Sequence, residues 1–139
     1  MAARKDDSSA THFLNVDLDI YSMYSMYDLQ PLVHSFGRKV FVVYVGRDRR
    51  TFSAHLELAK TTKSGDSTIR ACCALITALP KQERKIWDAA KGRDFSIGIQ
   101  AGAHPNPCDF AIEAKTLNAV PELAARIVLT IYPFEKPGR

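Results

Sequence analysis

Asp17 and Asp19 stand two apart in "FLNVDLDIY", and His55 and Glu57 stand two apart in "TFSAHLELA". Residues at that spacing on a strand point to the same side. If the two segments were neighbours, three carboxylates and an imidazole would share one face. Such a set can hold a divalent metal or exchange protons with a substrate. The plainer alternative is a solvated strand face, where polar residues of mixed charge pair across an antiparallel sheet. The spacing alone does not say which strands touch.

A second group is basic. The turn "GRDRR" gathers Arg47, Arg49 and Arg50, with Arg38 and Lys39 at the other end of the preceding strand. Guanidinium groups in a turn can grip phosphates, so nucleic acid is a second-choice partner. Sheets that bind single strands interleave aromatic residues with their cations, and that interleaving is missing here. A merely solvated hairpin turn explains the same residues.

A third group is apolar. The stretch "YSMYSMYDLQP" repeats a three-residue word, placing Tyr21, Met23, Tyr24, Met26 and Tyr27 close together. Tyrosine and methionine are enriched at protein interfaces because they bury large, adaptable surfaces. A partner-binding loop is the functional reading. A tolerated loop insertion is the structural one, since added loop residues cost little closure entropy.

Signatures that would fix a chemistry are missing. There is no Gly-rich phosphate loop, Gly-x-Ser-x-Gly elbow or His-Glu-x-x-His. "GIQAGAHPNP" brings two glycines together, but no helix follows at phosphate-loop spacing. His104, beside Pro105, reads as an ordinary loop histidine. Of three cysteines, Cys72 and Cys73 are adjacent and Cys108 is remote. That odd, unpaired count is not the even framework of a small secreted domain. They read as small, largely buried thiols. No catalytic residue and no cofactor is expected.

The elements that must position these residues follow from pattern. "FLNVDLDIY" alternates, with Leu14, Val16, Leu18 and Ile20 on one face. Asp28 caps a short helix, "DLQPLVHSF", with Pro31 in its first turn and Gly37 past its end. "KVFVVYV" is nearly all apolar, as in a strand covered on both faces. A short polar link joins it to "TFSAHLELA" as a hairpin. Asp66 or Ser67 caps the helix "TIRACCALITAL", whose Ile69, Cys72, Cys73, Ile76 and Leu79 lie along one side. After Pro80, "KQERKIWDAAKG" is a second helical piece with Trp87 on its core side. "DFSIGIQAG" and "CDFAIEA" read as strands, "KTLNAVPELAA" as a helix and "RIVLTIY" as a last strand. The sum is a single α+β domain, a mostly antiparallel sheet of about six strands with three or four helices on one face. It spans 12–134, between tails at 1–11 and 135–139.

The stretch from Asp28 also aligns with the stretch from Thr116, setting Leu29 on Leu117, Arg38 on Arg126, Val40 on Val128 and Tyr44 on Tyr132. A duplicated strand-helix-strand unit and convergent patterning both account for it. If duplicated, the second "YSM" is an insertion in a strand-to-helix loop.

"TLNAVPELAARIVLTIYP" and "FLNVDLDIY", in this element order, resemble small uncharacterised bacterial α+β domains of unknown function. That resemblance implies a fold and no activity. Composition sets the frame: 139 residues, 46% hydrophobic, 24% charged, net charge +4, with a pI of about 9.1. This is a globular composition, too mildly basic for a dedicated nucleic-acid binder. No apolar run is long enough to span a bilayer, and "MAARKDDSSAT" lacks the apolar core of a secretory signal. The expectation is a cytoplasmic, non-enzymatic module that binds another protein, as an immunity or regulatory partner would. A nucleic-acid accessory protein and a metal-dependent or acid-base enzyme stand behind it.

Overall fold

The alternation of the first segment extends into a long strand, β1 (His12–Met23), in which Val16, Leu18, Ile20 and Ser22 are buried. The computed structural model describes residues 10–23, 28–60 and 62–136. After β1 come α1 (Gln30–Phe36), a single 3-10 turn, β2 (Val40–Asp48) and β3 (Thr51–Leu58). There follow α2 (Gly65–Thr77), α3 (Lys81–Ala89), β4 (Gly92–Gln100), α4 (Ala114–Glu122) and β5 (Arg126–Tyr132).

The five strands form one mixed sheet in the order β2-β3-β1-β4-β5. Each neighbouring pair among the first four is antiparallel, and β5 runs parallel to β4. Strands β1 to β4 with α1 and α2 thus make a split β-α-β-β-α-β arrangement, as in ferredoxin-like topologies, extended by α4 and β5. A parallel neighbour needs a crossover connection, and α4 supplies it.

The helices share one core with the even-numbered side of β1. Ile20, Leu29, Leu32, Leu56, Ile69, Ile76, Trp87 and Phe95 are fully buried in it. α1 packs beside α3, and α2 packs beside α4 and against β1. The Trp87 indole N–H donates to the Leu123 carbonyl at 3.0 Å, tying α3 to the end of α4. Asp66 ties α2 to α4, because its Oδ1 accepts from the Glu113 amide at the α4 N-terminus at 2.9 Å.

Several expectations need correction. Among the described residues there are five strands rather than about six, because "CDFAIEA" is not a strand. Its apolar residues Phe110 and Ile112 line a groove instead of pairing. The second copy of the suggested repeat therefore lacks its own leading strand, and β5 pairs directly with β4, whereas β3 separates β2 from β1. β2 is not covered on both faces. It is an edge strand, and Phe41, Val42, Val43 and Tyr44 are exposed. The cap of α2 is Ser64, not Asp66 or Ser67; its side chain accepts from the Ser67 amide. Among the described residues, no helix is long and apolar enough to cross a membrane.

Candidate functional site

Alternation leaves the odd-numbered side of β1 facing away from the core. There the register brings the four acidic and histidine residues together. Asp17 pairs with Glu57, and Asp19 pairs with His55, directly across from one another. On the other flank Asp19 faces Asp94, which in turn faces Arg126 on β5. Beyond His55 lies Tyr44 on β2. Tyr44, His55, Asp19, Asp94 and Arg126 therefore form one row, with one residue from each strand.

Two carboxylates at the centre of that row would repel. Each is matched by an outer partner. His55 Nδ1 lies 2.7 Å from Asp19 Oδ1, and an ionised carboxylate can only accept, so Nδ1 is the donor. The Ser96 hydroxyl donates to the other Asp19 oxygen at 2.8 Å. Arg126 grips Asp94 with two bonds, Nε to Oδ1 at 2.7 Å and Nη2 to Oδ2 at 3.1 Å. Burial raises the Tyr21 phenol above its ordinary value, helped by the charges of Asp19 and Asp94. Tyr21 meets the His55 ring edge-on, with centroids 5.8 Å apart, and Tyr44 lies 6.0 Å from it on the other side. These contacts fix the imidazole, and among the described residues Nε2 has no hydrogen-bond partner.

One step along the strands, Asn15 donates to both Asp17 Oδ1 at 3.0 Å and Glu57 Oε1 at 2.8 Å. Burial, then the hydrogen bond and charge of Glu57, push the Asp17 carboxyl up to about 6, against the opposing pull of His55. A carboxyl so shifted takes up its proton at a higher pH than an ordinary aspartate. Gly98 makes room for this pair, since a Cβ there would sit 2.9 Å from Asn15 Oδ1. Among the described residues, no three His, Cys, Asp or Glu side chains converge as metal ligands. Both oxygens of Asp19 are engaged, one by His55 Nδ1 and one by the Ser96 hydroxyl.

The arginine turn lies at the Met23 end of the same sheet. Arg47, Arg49 and Arg50 are exposed, Arg49 adopts a left-handed φ of 54°, and Arg47 Nε donates to the Arg49 carbonyl. Of the tyrosine and methionine group, Tyr21 and Met23 belong to β1 rather than a loop, with Met23 exposed. Tyr24, Met26 and Tyr27 lie outside the described residues.

A third surface was not singled out from sequence. On the helix side, over β4 and β5 and between the starts of α2 and α4, a groove of about 640 Å³ is lined by Phe13, Ile99, Phe110, Ile112, Leu117 and Leu129. Around it Leu129 is 61% exposed, Ile131 64% and Leu117 50%. A contiguous apolar surface of this kind is uncommon on a solitary domain. The signal available in sequence was "RIVLTIY" as the last strand after a helix, a position that places it at a sheet edge.

No family model, curated protein or solved structure matches the chain. Function is accordingly a question for the sites themselves.

Proposed function

We propose that this domain is a protein-interaction module, and that the partner contributes an extended, apolar segment that lies along β5. The observation that carries this reading is the groove next to β5 with Leu129 and Ile131 exposed above it. An added strand would take up the unpaired backbone edge of β5 and set alternate side chains into the groove, the mode by which many sheets capture peptides. β2 is the rival edge and is also apolar. Its register breaks between Val42 and Tyr44, and such a bulge twists an edge away from pairing. The register of β5 with β4 is unbroken. A cytoplasmic regulatory or immunity role fits such a module.

The test is affinity capture from nuclease-treated lysate of the native host, comparing wild type with Ile131→Asp. The expected result is one protein retained near stoichiometrically by wild type and lost by the variant, whose fold is checked by circular dichroism. Identical retention by both would refute the β5 surface.

A second reading is favoured by the Asp19–His55 pair. A carboxylate that orients an imidazole through Nδ1 leaves Nε2 able to take a proton from water or a hydroxyl. In that reading His55 is the general base, and the Asp17–Glu57 pair supplies an acid on the same face. Hydrolysis of any member of a panel of simple esters, lost in His55→Gln, would support it. Equal rates with both proteins would oppose it.

A further inference from the structure

β4 and β5 both begin at the Met23 end of the sheet, each just after a helix, and the end of β1 lies alongside them. Between these three chain segments is a cleft of about 400 Å³, lined by Tyr21, Lys91, Arg93, Asp94, Ala124 and Arg126 among others. Neither reading above uses it. Its size falls in the range of small-molecule sites.

The charges within it have different duties. The Arg93 guanidinium is committed to backbone carbonyls, with Nε to Ala124 at 2.9 Å and Nη1 to Trp87 at 2.9 Å and to Ala90 at 2.6 Å. It staples the ends of α3 and α4 together and so fixes the walls. Arg126 is different. Its Nε and Nη2 are held by Asp94, yet its side chain is 75% exposed while that of Asp94 is 9% exposed. A guanidinium has five N–H donors in a rigid fork, so the two that face Asp94 leave three directed elsewhere. Asp94 acts as the anchor that pre-orients the fork. Lys91 is exposed, its ammonium resting on the Met23 thioether, a weak acceptor. Lys91, Arg93 and Arg126 against Asp94 leave the cleft with an excess of two positive charges.

The backbone here is built for shape. Ala124 has φ 53°, a left-handed conformation unusual for a residue with a side chain. Its carbonyl is the one that Arg93 holds. At Gly92 a Cβ would come 3.1 Å from the Tyr21 ring, so glycine lets the tyrosine lie across the start of β4 as a wall. The local cost of the Ala124 conformation is met by contacts that converge on this one cleft.

We propose that the cleft between Tyr21, Lys91 and Arg126 binds the phosphate group of a small molecule. A phosphate monoester near neutral pH carries close to two negative charges, which match the excess in the cleft. Its three oxygens suit a forked guanidinium, a mobile ammonium and a phenol hydroxyl. The rest of the ligand would lie along Tyr21 toward His55.

The experiment is an NMR titration of the isotopically labelled full chain with inorganic phosphate, at constant ionic strength set with chloride. The expected result is saturable shifts at the amides of Gly92, Ala125 and Arg126. Lys91→Gln and Arg126→Lys should each weaken binding by about tenfold, the scale of one charge-assisted contact. Lys91→Gln removes no buried partner, so it decides the matter if a change at Arg126 unsettles Asp94 and the fold. Shifts that do not saturate, that are equal in Lys91→Gln, or that centre on Arg47–Arg50 would overturn the proposal. Acetate serves as the carboxylate arm, and binding as tight as that of phosphate would refute the preference for a dianion.

Discussion

Asp17 and Glu57 face each other with one Asn15 amide between them, and their pairing has a consequence for stability. The Asp17 carboxyl sits at about 6 in the folded chain, above its unfolded value near 4. Between those values the folded state binds more protons than the unfolded state, so this group's contribution falls as pH rises. Asp17→Asn keeps the shape and removes the repulsion. The variant should melt higher than wild type at about pH 7, with the gap closing toward about pH 4. Melting curves across that window check it, and a gap constant with pH would contradict the raised Asp17 carboxyl. The thiols are quieter. Burial pushes the Cys72 thiol up to about 12 and raises Cys73 as well, whereas Cys108 is exposed. Native labelling with a thiol reagent should therefore modify Cys108 alone. At this scale the sequence showed which residues from Asn15 onward share a face of β1, because alternation is local. It did not show the irregularity between Phe13 and Asn15 that leaves Leu14 exposed rather than on the core face. It could not show that Asp19 meets His55 and Ser96, 36 and 77 positions away.

At the scale of elements, the joint between α2 and α4 is where a polar contact matters most. Asp66 opens α2, yet its Oδ1 caps the first turn of α4 through the Glu113 amide, and its Oδ2 pairs with Arg70. Burial would raise this carboxyl, but Thr116, the Glu113 amide and Arg70 outweigh it and hold it below the usual carboxylate value. A lowered value means stability present above the unfolded pKa and lost as pH falls through the folded one. Asp66→Asn should therefore cost roughly 1.5–3 kcal/mol at neutral pH, the scale of hydrogen bonds to a charged group. That cost should shrink in acid, as urea melts at two pH values would show. Helices and strands were largely readable because period two and period 3.6 are set by each segment's own burial. Two elements were misread for one reason. "KVFVVYV" and "CDFAIEA" carry enough apolar residues for a covered strand, but coverage depends on neighbours. β2 ended at an edge, and Cys108–Ala114 became a groove wall with the first residue of α4 at its end.

Across the whole molecule, one strand order accounts for three surfaces. Placing β1 at the centre gathers the polar row on the open face. Starting β4 and β5 at the same end creates the basic cleft. Leaving β5 outermost exposes Leu129 and Ile131 above the apolar groove. None of these follows from composition, since the chain-distant pairing that creates them is absent from any single segment. The interaction reading depends on the third surface and can be examined without knowing the partner's chemistry in advance. The direct measurement is amide hydrogen exchange of the free domain and of its complex with the captured partner. Alternate amides within Arg126–Tyr132 should gain protection on binding, because an added strand pairs with the outward-facing N–H of every second residue. Protection in β2 should stay unchanged. Protection that appears at Phe41–Tyr44 instead, or none at β5 in a formed complex, would contradict it.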